Sequence, residues 1–181
     1  KAQAISVDVA PPDAIAKQHF SSVQGRLEFI TGDIRDPGLL ANLHGADDIS
    51  YVVSGAAMTP TAGTTEASQA AMIVGVNVMG ATHCLELARS LPNLKRMIHV
   101  STGSVYGGDG PDEGPLPEDG YVRPFPGTLY PITKLAGELM INDYSRKDFL
   151  DGRAVRLPTI FIRPGKPNAA LSSFASGLFR E

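Results

Sequence analysis

A tyrosine and a lysine four residues apart form a pair that could carry out acid/base chemistry. Tyr130 and Lys134 lie in TLYPITKLAGEL, residues 128–139, where the spacing of apolar residues predicts an amphipathic helix. The spacing places both side chains on one face, one helical turn apart. A tyrosine ionises near pH 10, but a neighbouring ammonium favours the phenolate, which can accept a hydroxyl proton at neutral pH. Surface helices also contain this spacing without a function, so the pair alone leaves both interpretations open.

Two hydroxyl side chains elsewhere in the sequence favour the functional interpretation. In HVSTGSVYG, residues 99–107, an apolar strand ends at Val100 and is followed by Ser101 and Thr102. We expect both hydroxyls to point across one crevice toward the helix that carries Tyr130. A hydroxyl there could hold a substrate alcohol and stabilise the charge that develops on its oxygen.

The elements that must position these residues alternate between strands and helices. Near-continuous apolar runs predict strands within 2–9, 26–33, 47–57, 94–102 and 152–162, and helical spacing predicts helices over 35–45, 66–91 and 128–147. This order is typical of an α/β fold with a parallel sheet covered on both faces. Ligands of such sheets bind beyond the carboxyl ends of the strands. The candidates there are Asp8, Asp33, Ser54, Gly55, Ala56, Ser101, Thr102 and the residues after Ile162.

The helix over 128–147 is predicted in most detail. Thr128 can cap its start, and Pro131 falls in the first turn, where its missing N–H removes no internal hydrogen bond. Tyr130 and Lys134 are expected beside the stripe that faces the core. That stripe is predicted to comprise Leu129, Ile132, Leu135, Ala136, Leu139 and Met140.

Composition and charge exclude several function classes. The 181 residues are 43% hydrophobic with a net charge of -3 and contain no basic cluster, so we expect neither a nucleic-acid nor a membrane partner. No continuous apolar run is long enough for a membrane span, and no signal peptide is recognisable. The single cysteine, Cys84, excludes an internal disulfide, and the histidines lack metal-ligand spacing, so no metal is proposed. The expectation is a cytoplasmic protein.

Four short motifs occur along the chain: TGDIRD (31–36), NVMGAT (77–82), STGSVYG (101–107) and YPITK (130–134). Together they resemble the extended short-chain dehydrogenase/reductases, the family of the nucleotide-sugar epimerases and dehydratases. The resemblance implies a Rossmann-type doubly wound parallel sheet with NAD as hydride carrier.

The resemblance also implies roles for individual residues. Tyr130 would be the acid/base, Lys134 would favour its phenolate and hold the nicotinamide ribose, and Thr102 would hydrogen-bond the reacting oxygen. Asp8 would accept the adenosine-ribose hydroxyls, and its carboxylate would repel a 2′-phosphate, which favours NAD over NADP. Further cofactor contacts are implied for Asp33 at the adenine amino group, Ile34 in the adenine pocket, Asn77 through a buried hydrogen bond near the site, Ser101, and Pro158 and Thr159 beside the nicotinamide. Ser54 stands where many relatives have a histidine, which leaves its contact open.

The last part of the chain resembles the D-erythronate dehydrogenase branch of this family. The segment RLPTIFIRPGKPNAALSSF, residues 156–174, carries that resemblance, which implies oxidation of a four-carbon sugar acid at its 2-hydroxyl. A carboxylate substrate needs cationic or amide donors, and Arg163, Lys166 and Asn168 follow the last strand. Solvated loop residues would have the same composition, so these three are candidates.

The family's glycine-rich phosphate loop and the strand before it are not found in this sequence. That strand would lie between the strands ending at Asp8 and Ser54, so we expect a sheet in two parts. The expected organisation is an N-terminally incomplete NAD-binding domain over 1–165, followed over 166–181 by the start of a substrate-binding lobe.

The sequence therefore predicts an NAD-dependent dehydrogenase of a small sugar acid such as D-erythronate. A nucleotide-sugar epimerase or dehydratase would use the same residues, and a non-catalytic NAD-binding sensor would keep the fold without needing the base. The resemblance also implies a homodimer formed through the two long helices.

Overall fold

The computed structural model describes residues 3–43, 45–60, 66–107, 116–120, 122 and 128–158. Within these ranges strands alternate with helices, as the sequence predicts. The elements are β1 Ala4–Asp8, α1 Ala14–His19, β2 Leu27–Thr31, α2 Pro37–Ala41, β3 Tyr51–Ser54, α3 Glu66–Val74, α4 Gly80–Ser90, β4 Arg96–Thr102, α5 Leu129–Arg146 and β5 Gly152–Leu157. Short 3-10 segments cover Ser21–Arg26, Ala46–Asp48 and Gly103–Tyr106.

The strands form two parallel sheets. In one, β1 pairs with β2, with Ala4 opposite Leu27; in the other, the order is β3-β4-β5, with Tyr51 opposite Arg96. The prediction of a Rossmann-like parallel α/β fold divided between the strands ending at Asp8 and Ser54 is confirmed. Because the strands are parallel, the carboxyl ends of β3, β4 and β5 lie at one edge of their sheet.

The predicted helix over 66–91 is a continuous helical run from Glu66 to Ser90, with a π-helical turn at Gly75–Met79 between α3 and α4. The run ends just before Pro92, which disfavours helical conformation in the residue before it. Its most apolar window has a mean hydropathy of 1.4, so by length and composition it could cross a membrane. About 33% of that window is buried inside the fold. The buried residues of the run include Ile73, Asn77, Ala81, Cys84, Leu85 and Ala88.

The core lies between the three-stranded sheet and helices α4 and α5. Its buried members include Val52, Cys84, Leu85, Met97 and Ile141. The segment after β2 joins this core through Leu40 and Ile34. Ile34 lies so close to Gly80 of α4 that a Cβ at Gly80 would be 2.7 Å from an Ile34 methyl group, so glycine allows this approach.

Two features of α5 correct the sequence predictions. Thr128 occupies the capping position, but its side chain makes no capping hydrogen bond; instead, the Glu66 carboxylate accepts a hydrogen bond of 3.0 Å from the Leu129 N–H. The predicted core stripe is wrong at Ile132 and Leu139, which are 48% and 62% exposed. The buried residues of α5 are Pro131, Thr133, Lys134, Gly137, Glu138 and Ile141.

The short helix α1 was not predicted from the sequence. Asp13 caps it by accepting a hydrogen bond of 2.7 Å from the Ala16 N–H. It has only six residues and none of them is buried, so it is too short to show the periodicity that identifies longer helices.

Candidate functional site

Tyr130 and Lys134 lie on α5 next to the end of β4. Tyr130 is half-buried in the first turn of the helix, and Lys134 follows one turn later. Lys134 is 1% exposed and ranks among the largest fully buried side chains of the protein. A surface pair with no function would leave the lysine in solvent, because ionised lysine is rarely buried.

The surroundings of Lys134 act on its charge in opposite directions. Burial lowers the pKa of Lys134 to about 8, and the neighbouring Glu138 carboxylate and Cys84 partly offset this by raising it. His99 on β4 has its pKa lowered to about 4, by burial and then by the Lys134 charge, so it is neutral at pH 7. Lysines with depressed pKa values inside a fold are frequent at functional sites.

His99 packs directly against α5. A Cβ at Gly137 would lie 2.3 Å from the His99 Nε2 atom, so a glycine is required where the ring contacts the helix. Among the described residues, Nε2 finds no hydrogen-bond partner. The ring therefore acts as a neutral, tightly packed neighbour of the lysine.

Ser101 and Thr102 leave the end of β4 in different directions, because successive residues of a strand point to opposite faces. The buried Ser101 hydroxyl donates to the Glu138 carboxylate on α5. The Thr102 hydroxyl accepts a hydrogen bond of 3.2 Å from the Ser104 N–H and thereby caps the following 3-10 turn. The expectation that both hydroxyls face one crevice is therefore corrected: the Ser101 side chain is committed to the interior.

Asn77 connects the site helix to the loop after β3. Its side-chain oxygen accepts a hydrogen bond of 2.7 Å from the Met58 N–H, and its amide group donates to Met58 O at 3.0 Å and to the Thr133 hydroxyl at 2.9 Å. Thr133 lies between Tyr130 and Lys134 on α5. A buried hydrogen-bonding role for Asn77 was expected, and it explains why asparagine is tolerated within a helix.

Two of the candidate adenosine contacts lie at the ends of β1 and β2. Asp8 accepts a hydrogen bond of 3.0 Å from the Ala10 N–H and lies on the wall of an open cavity of about 440 Å³ that also includes Pro11 and Phe29. Asp33 is not part of that cavity wall. Its carboxylate is bound by Arg35 at 2.5 Å, and these hydrogen bonds lower the pKa of Asp33 to about 2.

Of the other candidate cofactor contacts, some point into the fold and others are exposed to solvent. The Ser54 side chain is buried next to the Cys84 thiol, whereas Gly55 and Ala56 are exposed at the end of β3. Ile34 packs on Gly80, and its carbonyl oxygen lies 2.9 Å from the His83 Nδ1 atom. Pro158 is exposed after β5. The candidates Thr159, Arg163, Lys166 and Asn168 lie outside the described residues.

Sequence reasoning missed Glu138 and Arg156, which form the most connected polar group near the site. Glu138 is 3% exposed and lies one turn beyond Lys134. Arg156 on β5 contacts it with hydrogen bonds of 2.8 and 3.1 Å. An acid eight residues after Tyr130 and four after Lys134, on the same helix face, was the signal in the sequence that could have identified Glu138.

No group of three potential metal ligands occurs among the described residues. The arrangement instead combines a tyrosine, a buried cation and a strand-end hydroxyl beside the open ends of parallel strands. That combination suits proton exchange with an alcohol while a dinucleotide lies along the strand ends.

The chain belongs to the NAD dependent epimerase/dehydratase family, whose pattern matches residues 4–180. Its members are oxidoreductases and related enzymes of the extended short-chain type, so the family resemblance found in the sequence is confirmed.

The chain is also similar to individual enzymes, two by sequence and one by solved structure. The chain is 39% identical to the D-erythronate dehydrogenase of Cupriavidus necator over 93% of its own length and 49% of that enzyme's. It is 45% identical to the D-erythronate dehydrogenase of Haemophilus influenzae over 58% of its length and 32% of that enzyme's. A solved dTDP-glucose 4,6-dehydratase from Streptomyces venezuelae, with NAD bound, is 29% identical over 85% of this chain and 45% of its own, with a TM-score of 0.68. The chain thus spans about half the length of these relatives or less.

Proposed function

We propose that this protein is an NAD-dependent dehydrogenase that oxidises the 2-hydroxyl of a small sugar acid such as D-erythronate. The observation that carries the proposal is Lys134, buried one turn from Tyr130 beside the strand end that bears Thr102. Burying a lysine is unfavourable for folding, so a functional role accounts for its position better than packing does. The similarity to two D-erythronate dehydrogenases supports the choice of substrate class.

In this mechanism Tyr130 and Thr102 act on the reacting hydroxyl, and Lys134 acts on Tyr130. Tyr130 as phenolate takes the hydroxyl proton, and the Lys134 ammonium stabilises that phenolate. The Thr102 hydroxyl donates a hydrogen bond to the reacting oxygen as charge develops there. NAD supplies the hydride acceptor when bound.

The described residues offer a consistent set of contacts for NAD. The Asp8 carboxylate at the end of β1 suits the ribose hydroxyls and disfavours a 2′-phosphate, and Arg35, which could otherwise welcome that phosphate, is paired with Asp33. The exposed backbone at Gly55 and Ala56 allows close approach of the dinucleotide. Lys134 holds the nicotinamide ribose in this proposal, and Pro158 borders the ring.

The proposal extends to the domain organisation, the location and the oligomeric state of the protein. Residues 1–165 form part of the NAD-binding domain, in which Thr159 borders the nicotinamide, and residues 166–181 begin the substrate-binding lobe. Arg163, Lys166 and Asn168, at and after the end of the first domain, bind the substrate carboxylate. The protein acts in the cytoplasm as a homodimer. Exposed apolar residues on α5, among them Ile132 and Leu139, support an interface on that helix.

A second candidate function is nucleotide-sugar epimerisation or dehydration, which would use the same residues. It is favoured by the likeness to the dTDP-glucose 4,6-dehydratase. The two functions differ in whether NAD is released: a dehydrogenase turns over free NAD, whereas the other enzymes recycle a tightly held cofactor.

The test uses the full-length protein with NAD and a panel of four- to six-carbon sugar acids, followed by NADH absorbance. We expect turnover on one acid that falls about a thousandfold in Tyr130→Phe, because the proton acceptor is lost. Tyr144→Phe, at the far end of the same helix, is the matched control and should retain activity. Absence of turnover on every acid, with conversion of a UDP- or dTDP-sugar, would replace the dehydrogenase by the second function.

A further inference from the structure

A buried carboxylate behind Tyr130 and Lys134 joins the elements that carry the site. Glu138 accepts hydrogen bonds from the Ser101 hydroxyl at the end of β4 and from Arg156 on β5. The Arg156 Nε atom lies 3.1 Å from both carboxylate oxygens, and its Nη2 atom lies 2.8 Å from Oε2. A bidentate contact of this kind fixes the orientation of the guanidinium group relative to the carboxylate.

The same arginine also holds the segment that follows β4. Its Nη1 atom donates to the Tyr106 hydroxyl at 2.8 Å and to the Glu118 carbonyl oxygen at 2.9 Å. Its guanidinium carbon lies 4.7 Å from the centre of the Tyr106 ring. Arg156 therefore connects the Glu138 carboxylate to the 3-10 turn Gly103–Tyr106.

These contacts enclose Thr102. Ser101 precedes it and Tyr106 ends the turn after it, and both are tied to Glu138, one directly and one through Arg156. Glu138 in turn is rigidly connected to Lys134 and Tyr130, one and two helical turns away. The network therefore sets where the Thr102 hydroxyl lies relative to the Tyr130 hydroxyl.

We propose that Glu138, held by Arg156, is a positioning residue that fixes Thr102 against Tyr130 and keeps the buried Lys134 in its charged form. The inference rests on the proposed function of that site. Glu138 itself touches neither substrate nor cofactor in this scheme; it acts through the groups that do.

Whether Glu138 keeps Lys134 in its charged form depends on all the groups around the lysine. Lys134 interacts electrostatically with Glu138 one turn later on α5, His99 on β4 and Cys84 on α4, and Tyr130 lies one turn earlier on α5. Arg156 on β5 and Ser101 on β4 bind the Glu138 carboxylate. His99 is neutral at pH 7, since its pKa is lowered to about 4. Burial raises the pKa of the Cys84 thiol, so at that pH Glu138 supplies the negative charge that offsets desolvation of the ammonium.

The experiment compares Glu138→Gln and Tyr106→Phe with wild type in the full-length protein, with Glu86→Gln as matched control. Glu86 also accepts hydrogen bonds from an arginine, Arg89, and from a tyrosine hydroxyl, Tyr144, but it lies away from the site on α4. Activity is measured against pH, and the ε-methylene resonance of Lys134 is titrated by NMR. Tyr106→Phe removes one hydrogen bond of the network and serves if Glu138→Gln fails to fold.

In Glu138→Gln we expect kcat to fall about 10- to 100-fold, with KM for NAD changed less than about threefold, since misplacement by a fraction of an ångström has effects of this size. The alkaline limb of the pH profile and the Lys134 titration should both shift down by about one pH unit. Tyr106→Phe should lower kcat several-fold without shifting the titration, and Glu86→Gln should change neither.

Lower melting temperature with unchanged kcat, pH profile and Lys134 titration in Glu138→Gln would reduce the residue to a structural role and overturn the inference. Turnover by wild type is the separate test of the proposed function. If wild type oxidises no acid, the Lys134 titration still decides whether Glu138 keeps the lysine charged: an unshifted titration refutes this, and a downward shift supports it.

Discussion

The two faces of α5 depart from the usual distribution of polar and apolar residues at several positions. The inward face buries Thr133, Lys134 and Glu138, whereas the outward face exposes Ile132 and Leu139 at 48% and 62%. An amphipathic helix of a packed domain ordinarily shows the opposite pattern. The difference teaches that contacts to the strand ends, together with the burial of Ile141, place this helix, and that the stripe predicted from the sequence does not.

The inward face is held by specific partners. Thr133 is bound by Asn77, Glu138 by Ser101 and Arg156, and Glu66 binds the N–H of Leu129 at the start of the helix. A buried polar group without a partner is strongly unfavourable, so each of these contacts is required for the helix to pack this way. The exposed residues of the outward face need no such hydrogen-bond partners within the fold.

Replacing the buried lysine is the largest change that can be made to the inward face. In Lys134→Met we expect kcat/KM to fall at least about a hundredfold, because the phenolate of the base loses its stabilising cation. The free energy of unfolding should rise by about 1–3 kcal/mol at pH 7, because a buried charge is removed. Activity assays and denaturant unfolding of the same preparation measure both effects.

The pH dependence of stability shows in which direction the buried Lys134 changes the free energy of unfolding. The pKa of Lys134 is about 8 in the folded protein against an ordinary value of 10.5, so between these pH values the unfolded chain binds the additional proton. Wild-type stability should therefore rise from pH 8 to 10.5, and this rise should be missing from Lys134→Met. Lys147→Met, at an exposed lysine paired with Asp143, is the control. Equal stability of Lys134→Met and wild type at pH 7 would contradict the assumed burial of charge.

The sequence was sufficient for the order of the strands and the longer helices, though not for α1, and for the pair of residues at the centre of the candidate site. Apolar runs and helical spacing depend on local pattern, so strands β1 to β5 and the long helices were predicted in the correct order. The segment predicted for the third strand, 47–57, is longer than β3, and the predicted end of the fifth, at 162, lies outside the described residues. Tyr130 and Lys134 could be recognised because residues four apart on a helix meet whatever the rest of the fold does.

The parts that could not be predicted depend on contacts between distant segments. The face of α5 that is buried follows from Ser101 and Arg156, which lie 37 residues before and 18 residues after Glu138. The direction of the Ser101 side chain likewise depends on the exact end of β4, since a shift by one residue reverses it. Hydrophobic pattern alone assigns Ile132 and Leu139 to the core and therefore gives the opposite orientation.

His99 provides a smaller test of the inward face. Its pKa is about 4 in the folded protein and ordinarily 6.5, so the unfolded chain binds a proton that the folded protein does not between these values. Stability should therefore fall as the pH decreases from 6.5 to 4, by about 2–3 kcal/mol from this residue. His99→Leu should reduce that fall, as followed by denaturant unfolding at several pH values, whereas His19→Gln, at an exposed site, should leave it unchanged. An identical acid dependence in His99→Leu would show that the ring is not the group responsible.

The smallest effect on stability is expected on the outward face. Leu139→Lys should change the free energy of unfolding by less than about 0.5 kcal/mol, because Leu139 is already exposed within one chain. If this face forms the proposed homodimer interface, the same change should convert dimer to monomer in analytical ultracentrifugation, since a charge would then be buried between subunits. Asn142→Lys, at a neighbouring exposed position, should leave the dimer intact. A dimer that survives Leu139→Lys places the interface elsewhere, whereas loss of folding would mean that this face contributes to the core after all.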